Sequence, residues 1–416
     1  LVNLPGETAS AVTCLDGYQM ARQGRAGPAL ATAAIASFFA GCVGTLLIAL
    51  FGPPLGEWAL AFGAAEYSSL MLMGLTAAAV LTQGDAVKGL AMVVLGLLLG
   101  LVGTDVNSGM ARYTFGVPAL SDGIGFTVVA VGLFAVAEIV LNLESKEARE
   151  VFTSKVTNLM PVAKDLKDAS WPTVRGTAVG ALFGVLPGTG PALSSFATYL
   201  LEKKLARDPS RFGKGAIEGV AAPEAANNAA AQTAFIPMLT LGIPASATMA
   251  LMLAAMTMQG IEPGPQVMIS KPDLFWGLIA SMWIGNLLLV ILNLPLVGVW
   301  VRLLRVPYRW LFPSVIMFSS LGNYAVNNNP VDVYLCAVVG VLGYILAKLE
   351  CEPAPLILGY VLGPLMEEYV RRALLISRGD PTVFFTRPIS LAFMIATLLI
   401  LVVMIAPAVR GKKASI

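Results

Sequence analysis

The chain has 416 residues, 57% hydrophobic and only 12% charged, with a net charge of +2 and no histidine; its mean hydropathy is +0.77. Soluble domains carry about 25% charge, so a soluble all-helical protein fits poorly, and the near-neutral balance gives no bulk attraction to nucleic acid. The lack of histidine removes His-based acid–base catalysis, His-assisted nucleophiles and His metal sites together, and Cys14, Cys42, Cys336 and Cys351 form no close pair and read as small hydrophobes.

The sequence opens on Leu4-Pro5-Gly6-Glu7-Thr8-Ala9-Ser10-Ala11 and runs into MARQGRAG, with Arg22 and Arg25. It shows no signal-peptide architecture. Almost uncharged windows follow at residues 28–50, 89–103 and 123–136, and again at 274–301, 331–347 and 389–409. Each reaches, or nearly reaches, the ~20 residues needed to cross a hydrocarbon core of about 30 Å. Residues 105–112 (DVNSGMAR) read as an extramembrane loop, with Arg112 a candidate to meet an anion. Residues 143–170 are polar and mixed in charge, a surface helix or linker.

The next segment, residues 172–201, is interrupted at Leu186-Pro187-Gly188-Thr189-Gly190-Pro191 and is flanked at both ends by basic residues. A re-entrant hairpin fits this charge pattern; a kinked span followed by another is the alternative. A second break stands at Leu241-Gly242-Ile243-Pro244, and between the two breaks Glu224, Asn227, Asn228 and Gln232 lie in Ala-rich surroundings. Hydrocarbon tolerates broken helices and buried polar groups only where protein or a water-filled cavity satisfies them, which makes residues 180–265 the leading candidate for an intramembrane binding site. Further on, Asn327-Asn328-Asn329-Pro330 reads as a turn before a span, and Glu367-Glu368 with Arg371-Arg372 as a helix end at ionic spacing. The fold expected is an all-α polytopic membrane protein with about ten to twelve membrane elements.

A repeat runs through the chain. The Leu4–Ala11 motif with Gln23-Gly24 matches Ile243-Pro244-Ala245-Ser246-Ala247-Thr248-Met249-Ala250 with Gln259-Gly260; Ile35-Ala36-Ser37 with Gly41 matches Ile279-Ala280-Ser281 with Gly285; and LAMVV at residue 90 resembles LCAVV at residue 335. All three matches share an offset of about 240 residues. The flanking charges reverse: Arg22 and Arg25 in the first copy face Glu262 in the second, and Glu57 and Glu66 face Arg302, Arg305 and Arg309. Short basic loops face the cytoplasm, so equivalent loops should lie on opposite sides, the pattern of inverted-topology repeats in secondary transporters. The organisation expected is repeat 1 at residues 1–142, a linker at 143–171, repeat 2 at 172–409 and a tail at 410–416. Pro187 precedes Pro244 by 57 residues, so a matching Gly-rich break is expected upstream of Leu1, leaving repeat 1 N-terminally incomplete.

Proline stops a helix and removes a donor, while glycine permits close approach and unusual dihedrals. A helix restarting after such a break presents free N–H groups and about half a positive charge, a ready carboxylate site. Such starts are expected near Pro191, with Ser194 and Ser195; after Pro244, with Ser246 and Thr248; and after Pro5, with Thr8 and Ser10. Glu224, Asn227 and Asn228, at i, i+3, i+4, share one helix face. Their oxygens suit a small hard cation such as Na⁺, or Glu224 exchanges a proton; a polar helix–helix contact is the plainer alternative.

The runs GVLPGTGP, SRFGKGAIEGVAAPEAANNAAAQ and LTLGIPASAT, with the early LPGETASAVTCLDGYQMARQGRAG, closely resemble the large membrane subunit of the bacterial tripartite tricarboxylate transporters (TctA-type). The likeness covers nearly the whole chain, and its 213–231 run is highly specific. It implies a multi-pass protein of the bacterial cytoplasmic membrane that works with a small four-helix membrane subunit and a periplasmic binding protein delivering a di- or tricarboxylate. Uptake would be driven by an ion gradient, Na⁺ or H⁺, with no ATP, no cofactor and no enzymatic activity; no P-loop is present. By position, the resemblance carries over Asn3, Pro5, Gly6, Pro187, Gly188, Gly190, Pro191, Glu224, Asn227, Asn228 and Pro244. A passive organic-anion channel built on the same breaks is the competing function, separated by accumulation above equilibrium. An intramembrane enzyme using Ser194 or Ser195 has no nearby base to activate it.

Overall fold

The computed structural model describes residues 8–80, 85–105, 108–144, 160–186, 190–261, 264–296, 299 and 308–409. The expected sites Asn3, Pro5, Gly6, Pro187 and Gly188, and the loop bases Arg302 and Arg305 with Glu262, lie outside the described residues. Of the described residues, 80% are helical. Its longer helices are α1 (Ala11–Arg22), α2 (Ala26–Ala59), α3 (Ala64–Val80), α4 (Ala86–Gly100), α5 (Phe126–Glu144), α6 (Ala163–Val185), α7 (Gly190–Leu205) and α8 (Glu218–Thr233). They continue with α9 (Phe235–Leu241), α10 (Ala247–Met258), α11 (Pro272–Asn293), α12 (Tyr308–Asn327), α13 (Pro330–Lys348), α14 (Pro353–Ile376) and α15 (Pro388–Val409). Among the described residues α2, α5, α11 and α13 are long and apolar enough to cross a membrane, and shorter apolar helices add Ala86–Gly100, Thr248–Met258 and Pro388–Val402. The departure from an all-α chain is small: β1 (Gly103–Thr104) pairs antiparallel with β2 (Ala111–Arg112), closed by a turn in which Ser108 Oγ donates to Asp105 Oδ2 at 2.7 Å.

The chain divides into two compact units. The first comprises Leu1–Ala59, Ala148–Ala245 and Glu262–Val306; the second comprises Leu60–Glu147, Ser246–Ile261 and Pro307–Ile416.

The first unit is built around α8. Ala221, Ala222, Ala225, Ala226, Ala229 and Ala230 are fully buried, because alanine lets neighbouring backbones come close where larger side chains would hold them apart. Helix α6 takes this furthest: a Cβ on Gly176, Gly180 or Gly184 would collide with the carbonyls of Ala222, Ala226 and Ala230 in turn. That matched ladder runs α6 parallel to α8. Helix α7 returns antiparallel, with Ser194 Oγ on the Ala226 carbonyl at 3.3 Å and Ser195 Oγ on the Pro223 carbonyl at 3.2 Å. The arms α6 and α7 therefore form a hairpin, and Arg175 closes its open end with two 2.6 Å bonds to Glu202. Part of the stretch expected as a linker belongs to this packing: Asp165 and Ala169 of α6 are buried, the first on Arg25 at 2.5 Å. Helix α11 runs antiparallel to α2, since Gly41 faces Asn286 and Gly52 faces Phe275.

In the second unit α4 and α14 pack backbone to backbone, Gly96 and Gly100 against the Leu356 and Tyr360 carbonyls and Gly359 against that of Val93. The core around them joins Leu75, Met92, Val128, Leu133, Leu356 and Leu362. Arg112 bonds Glu367 at 2.7 Å and lies 3.8 Å from Asp105, and Arg371 bonds both acids. Glu367–Arg371 and Glu368–Arg372 are the i, i+4 pairs expected. The Asn-rich stretch is a turn before α13, with Asn329 capping Val331 N–H at 3.0 Å and Pro330 in the first helical position.

Candidate functional site

Helix α8 is packed among α1, α2, α6 and α7. Glu224, Asn227, Asn228, Ala231 and Gln232 are half-buried while the residues between them are buried. Their spacing i, i+3, i+4, i+7, i+8 draws a single stripe along the helix, and all of its members but Ala231 are polar.

At the head of the stripe, three helices of the first unit meet on one carboxylate. Ser37 of α2 donates to Glu224 Oε1 at 3.0 Å, and Thr13 of α1 lies 3.4 Å from Oε2. Asn228 donates to Ser37 Oγ at 2.8 Å and to the Glu224 carbonyl at 3.0 Å, with Oε1 at 3.4 Å. The Ser37 hydroxyl thus stands between carboxylate and amide, accepting from one and donating to the other. Removing a charge-assisted bond of this kind costs about 1.5–3 kcal/mol. All these oxygens are hard ligands, of the type that holds Na⁺. Asn227 lies on the same stripe.

The geometry of α1 depends on a second carboxylate. Asp16 is fully buried; its Oδ1 accepts the N–H groups of Gly215 and Ala216 at 2.7 and 2.8 Å, and its Oδ2 the Tyr199 hydroxyl at 2.9 Å. It fastens the entry to α8 and so fixes the register that brings Thr13 to Glu224.

Two turns beyond Glu224, Gln232 bonds Asn286 of α11 at 3.3 Å, and Asn286 bonds Thr45 of α2 at 3.2 Å. Gln232 Oε1 is buried with no hydrogen-bond donor among the described residues, a condition that costs about 1–3 kcal/mol.

The helix breaks flank this helix in sequence. After the first, α7 begins at Gly190, whose φ of +60° is a left-handed conformation that glycine adopts without strain; Pro191 follows, as the helix-start reading requires. Ser194 is fully buried, and its hydroxyl donates to the Pro191 carbonyl at 2.7 Å as well as toward Ala226. At the second break Gly242 ends α9 with φ +68°. Its N–H reaches the Met238 carbonyl, the bond of an αL cap, and that of Ile243 reaches Pro237; buried Pro244 follows and cannot extend the helix. Ser246 then caps α10, accepting from Met249 N–H at 3.3 Å, and Thr248 is exposed. Ser246 and Thr248 belong to the second unit, Pro244 and Glu224 to the first. Thr8 lies in the short turn before α1.

Sequence reasoning found the α8 cluster but missed Thr13, Ser37, Thr45, Asn286 and Asp16. The available signal was chemical: Ser37, Thr45 and Asn286 are polar groups inside windows otherwise fit for hydrocarbon.

A half-buried carboxylate on an otherwise enclosed helix is costly in a bilayer. Beside broken helices and apolar spans, it belongs to the class of multi-pass membrane proteins that move polar solutes. Comparison with known families identifies which: the family model described as Tripartite tricarboxylate transporter TctA family matches residues 1–358, and the chain belongs to that family, a family of transporter components rather than enzymes. The chain is 56% identical over 413 residues to an uncharacterized 52.8 kDa protein in the TAR-I ttuC′ 3′ region of Agrobacterium vitis, covering 99% of this chain and 82% of the relative. It is 60% identical over 234 residues to an uncharacterized protein in the TAR-II ttuC′ 3′ region of the same organism, covering 56% of this chain and 97% of the relative. No solved structure matches.

Proposed function

We propose that the chain is the transport-bearing membrane subunit of a secondary carrier that takes up di- or tricarboxylates across the bacterial inner membrane, coupled to Na⁺ or H⁺ at Glu224, Asn227 and Asn228. A periplasmic binding protein delivers the substrate and a small four-helix subunit completes the membrane complex, in keeping with the tripartite family name. The observation that carries the reading is the half-buried Glu224 carboxylate on the polar stripe of α8, bonded by Ser37 and lying beside Thr13 and Asn228. A group so placed exchanges its partners for a cation or a proton without unfolding its helix. The carboxylate substrate is met by helix starts of the first unit: Gly190 and Pro191 after Pro187 and Gly188, and Thr8 after Asn3, Pro5 and Gly6. There, free N–H groups and the positive dipole end favour an anion.

The test is uptake of labelled carboxylate into vesicles holding both membrane subunits, with the binding protein added, under imposed Na⁺ or pH gradients. The wild type accumulates substrate above equilibrium, and Glu224→Gln loses about tenfold or more of its gradient dependence, a loss near 1.4 kcal/mol. Unchanged gradient dependence in that variant removes Glu224 from coupling; uptake that never exceeds equilibrium makes the protein a channel.

A further inference from the structure

A cavity of about 430 Å³ lies at the basic end of the first unit, between the α1–α2 turn, the start of α6 and the segment leading into α8. Five charged side chains line it: Arg25, Lys164, Asp165, Asp168 and Arg211. Two of the three bases are already matched, Arg25 by Asp165 and Arg211 by Glu218 at 3.1 Å. The side chains of Lys164 and Asp168 make no ion pair or hydrogen bond among the described residues. They stand at i, i+4 on one face of α6, their Cβ atoms about 5–6 Å apart, but in the order base then acid, the weaker orientation for a pair. The wall therefore presents one unmatched cation and one unmatched anion side by side. The remaining lining is apolar and includes exposed Met160 and Val162.

The same face of α6 continues toward hydrocarbon. Trp171 follows Asp168 at i+3, about 4.5 Å further along the axis. It is exposed, as are Val174, Ala178 and Leu182 beyond it, while Arg175 among them is bonded to Glu202. An exposed tryptophan between a charged turn and an apolar stripe marks the level of the membrane–water interface, so the cavity lies at headgroup depth. We propose that it binds the headgroup of an aminophospholipid such as phosphatidylethanolamine. The phosphate is held by Lys164, with Arg25 and Arg211, whose guanidinium forks keep donors beyond those their acids use; the ammonium is held by Asp168; and the acyl chains lie along Trp171 and Leu182. Basic pockets between spans take lipid headgroups by the same chemistry. A headgroup with net negative charge leaves Asp168 facing it unmatched, and a choline headgroup has no N–H to give that carboxylate, so both are disfavoured. The apolar wall favours a lipid over a water-soluble zwitterion, which gains little by covering Met160 and Val162. This site requires only that the chain stand in a bilayer and is independent of the carrier reading above.

Binding is counted by native mass spectrometry on the purified full chain, delipidated in detergent and titrated with phosphatidylethanolamine, phosphatidylglycerol, phosphatidylcholine or soluble phosphoethanolamine. The wild type is expected to hold one phosphatidylethanolamine at least about fivefold more tightly than either other lipid, the order that one charge contributes near a lipid surface. Phosphoethanolamine should bind most weakly. Lys164→Ala weakens phosphatidylethanolamine about fivefold. Asp168→Asn brings phosphatidylglycerol level with it, a change of preference that general damage to the fold does not produce. Lys204→Ala removes a base that does not line the cavity and binds as the wild type does. Cooperative melting identifies the folded variants, and the lipid panel on the wild type needs none of them. A wild type that holds all three lipids alike has annular contacts only, which overturns the proposal. So does tighter binding of phosphatidylglycerol, phosphoethanolamine binding as tightly as the lipid, or an unchanged lipid preference and affinity in both Lys164→Ala and Asp168→Asn.

Discussion

Asp16 shows how much one buried side chain decides. A carboxylate with no solvent exposure is stable only if its oxygens are matched by donors, and here two backbone N–H groups and a phenol supply them. Because the N–H groups belong to the segment entering α8, the same bonds set where α1 stands against Glu224. Asp16→Ala strands three donors and is expected to cost about 3 kcal/mol or more. Asp16→Asn keeps an oxygen for both N–H groups and offers the phenol an N–H, so about 1 kcal/mol is expected. Thermal unfolding in detergent orders the three proteins; an Asp16→Ala protein melting with the wild type shows that the contact is not holding α1 in place. Neither Asp16 nor Ser37 was legible as a site residue in the sequence, since their partners lie nearly 200 residues away and helical spacing reports only on neighbours within a turn or two. Glu224 and Asn228 were legible because they are such neighbours.

At the scale of the element, the first unit is held by close approach rather than by large apolar side chains. Ala-rich α8 lacks the length and hydropathy of a candidate span, yet six of its seven alanines are fully buried. In lipid, apolar contact between helices gains little over contact with acyl chains, so small residues that bring backbones together decide which helices pair. Gly180 of α6 tests this, because a Cβ there meets the Ala226 backbone, whereas a Cβ on Gly277 of α11 meets nothing within 4 Å. Gly180→Ala is expected to destabilise by about 1–3 kcal/mol, and Gly277→Ala to be neutral or to stabilise by up to about 1 kcal/mol. Equal melting points for the two variants would show that α6 and α8 have slack the glycine ladder denies. Breaks at Pro-Gly and Gly-Ile-Pro were readable in the sequence because proline and glycine act locally. The identity of the helix that each break serves was not, since α8 looks like a soluble Ala-rich helix until its neighbours are known.

For the whole molecule, orientation in the membrane is the property that charge decides. In the first unit α2, α6 and α8 run one way and α1 and α7 the other, so Arg22 and Arg25, Lys164 and Lys167, and Lys203 and Lys204 all fall at the same end. Arg25 on Asp165, and Gln23 on the Lys214 carbonyl, tie that end together. By the positive-inside rule an end so rich in Lys and Arg is expected to face the cytoplasm. The repeat reading then makes a demand of its own, because α2 and α11 are equivalent elements in it, and inverted copies must run in opposite directions. Their packing is antiparallel, the direction that inverted copies require. Accessibility supplies the independent check: with the four native cysteines replaced, single cysteines at Arg22, Lys204 and Glu262 are labelled by an impermeant maleimide in right-side-out and inverted vesicles. Arg22→Cys and Lys204→Cys should react only in inverted vesicles, and Glu262→Cys only in right-side-out ones. If Glu262→Cys reacts from the same side as Arg22→Cys, the loops that follow the two equivalent motifs share a side, and two copies related by inversion do not describe this chain.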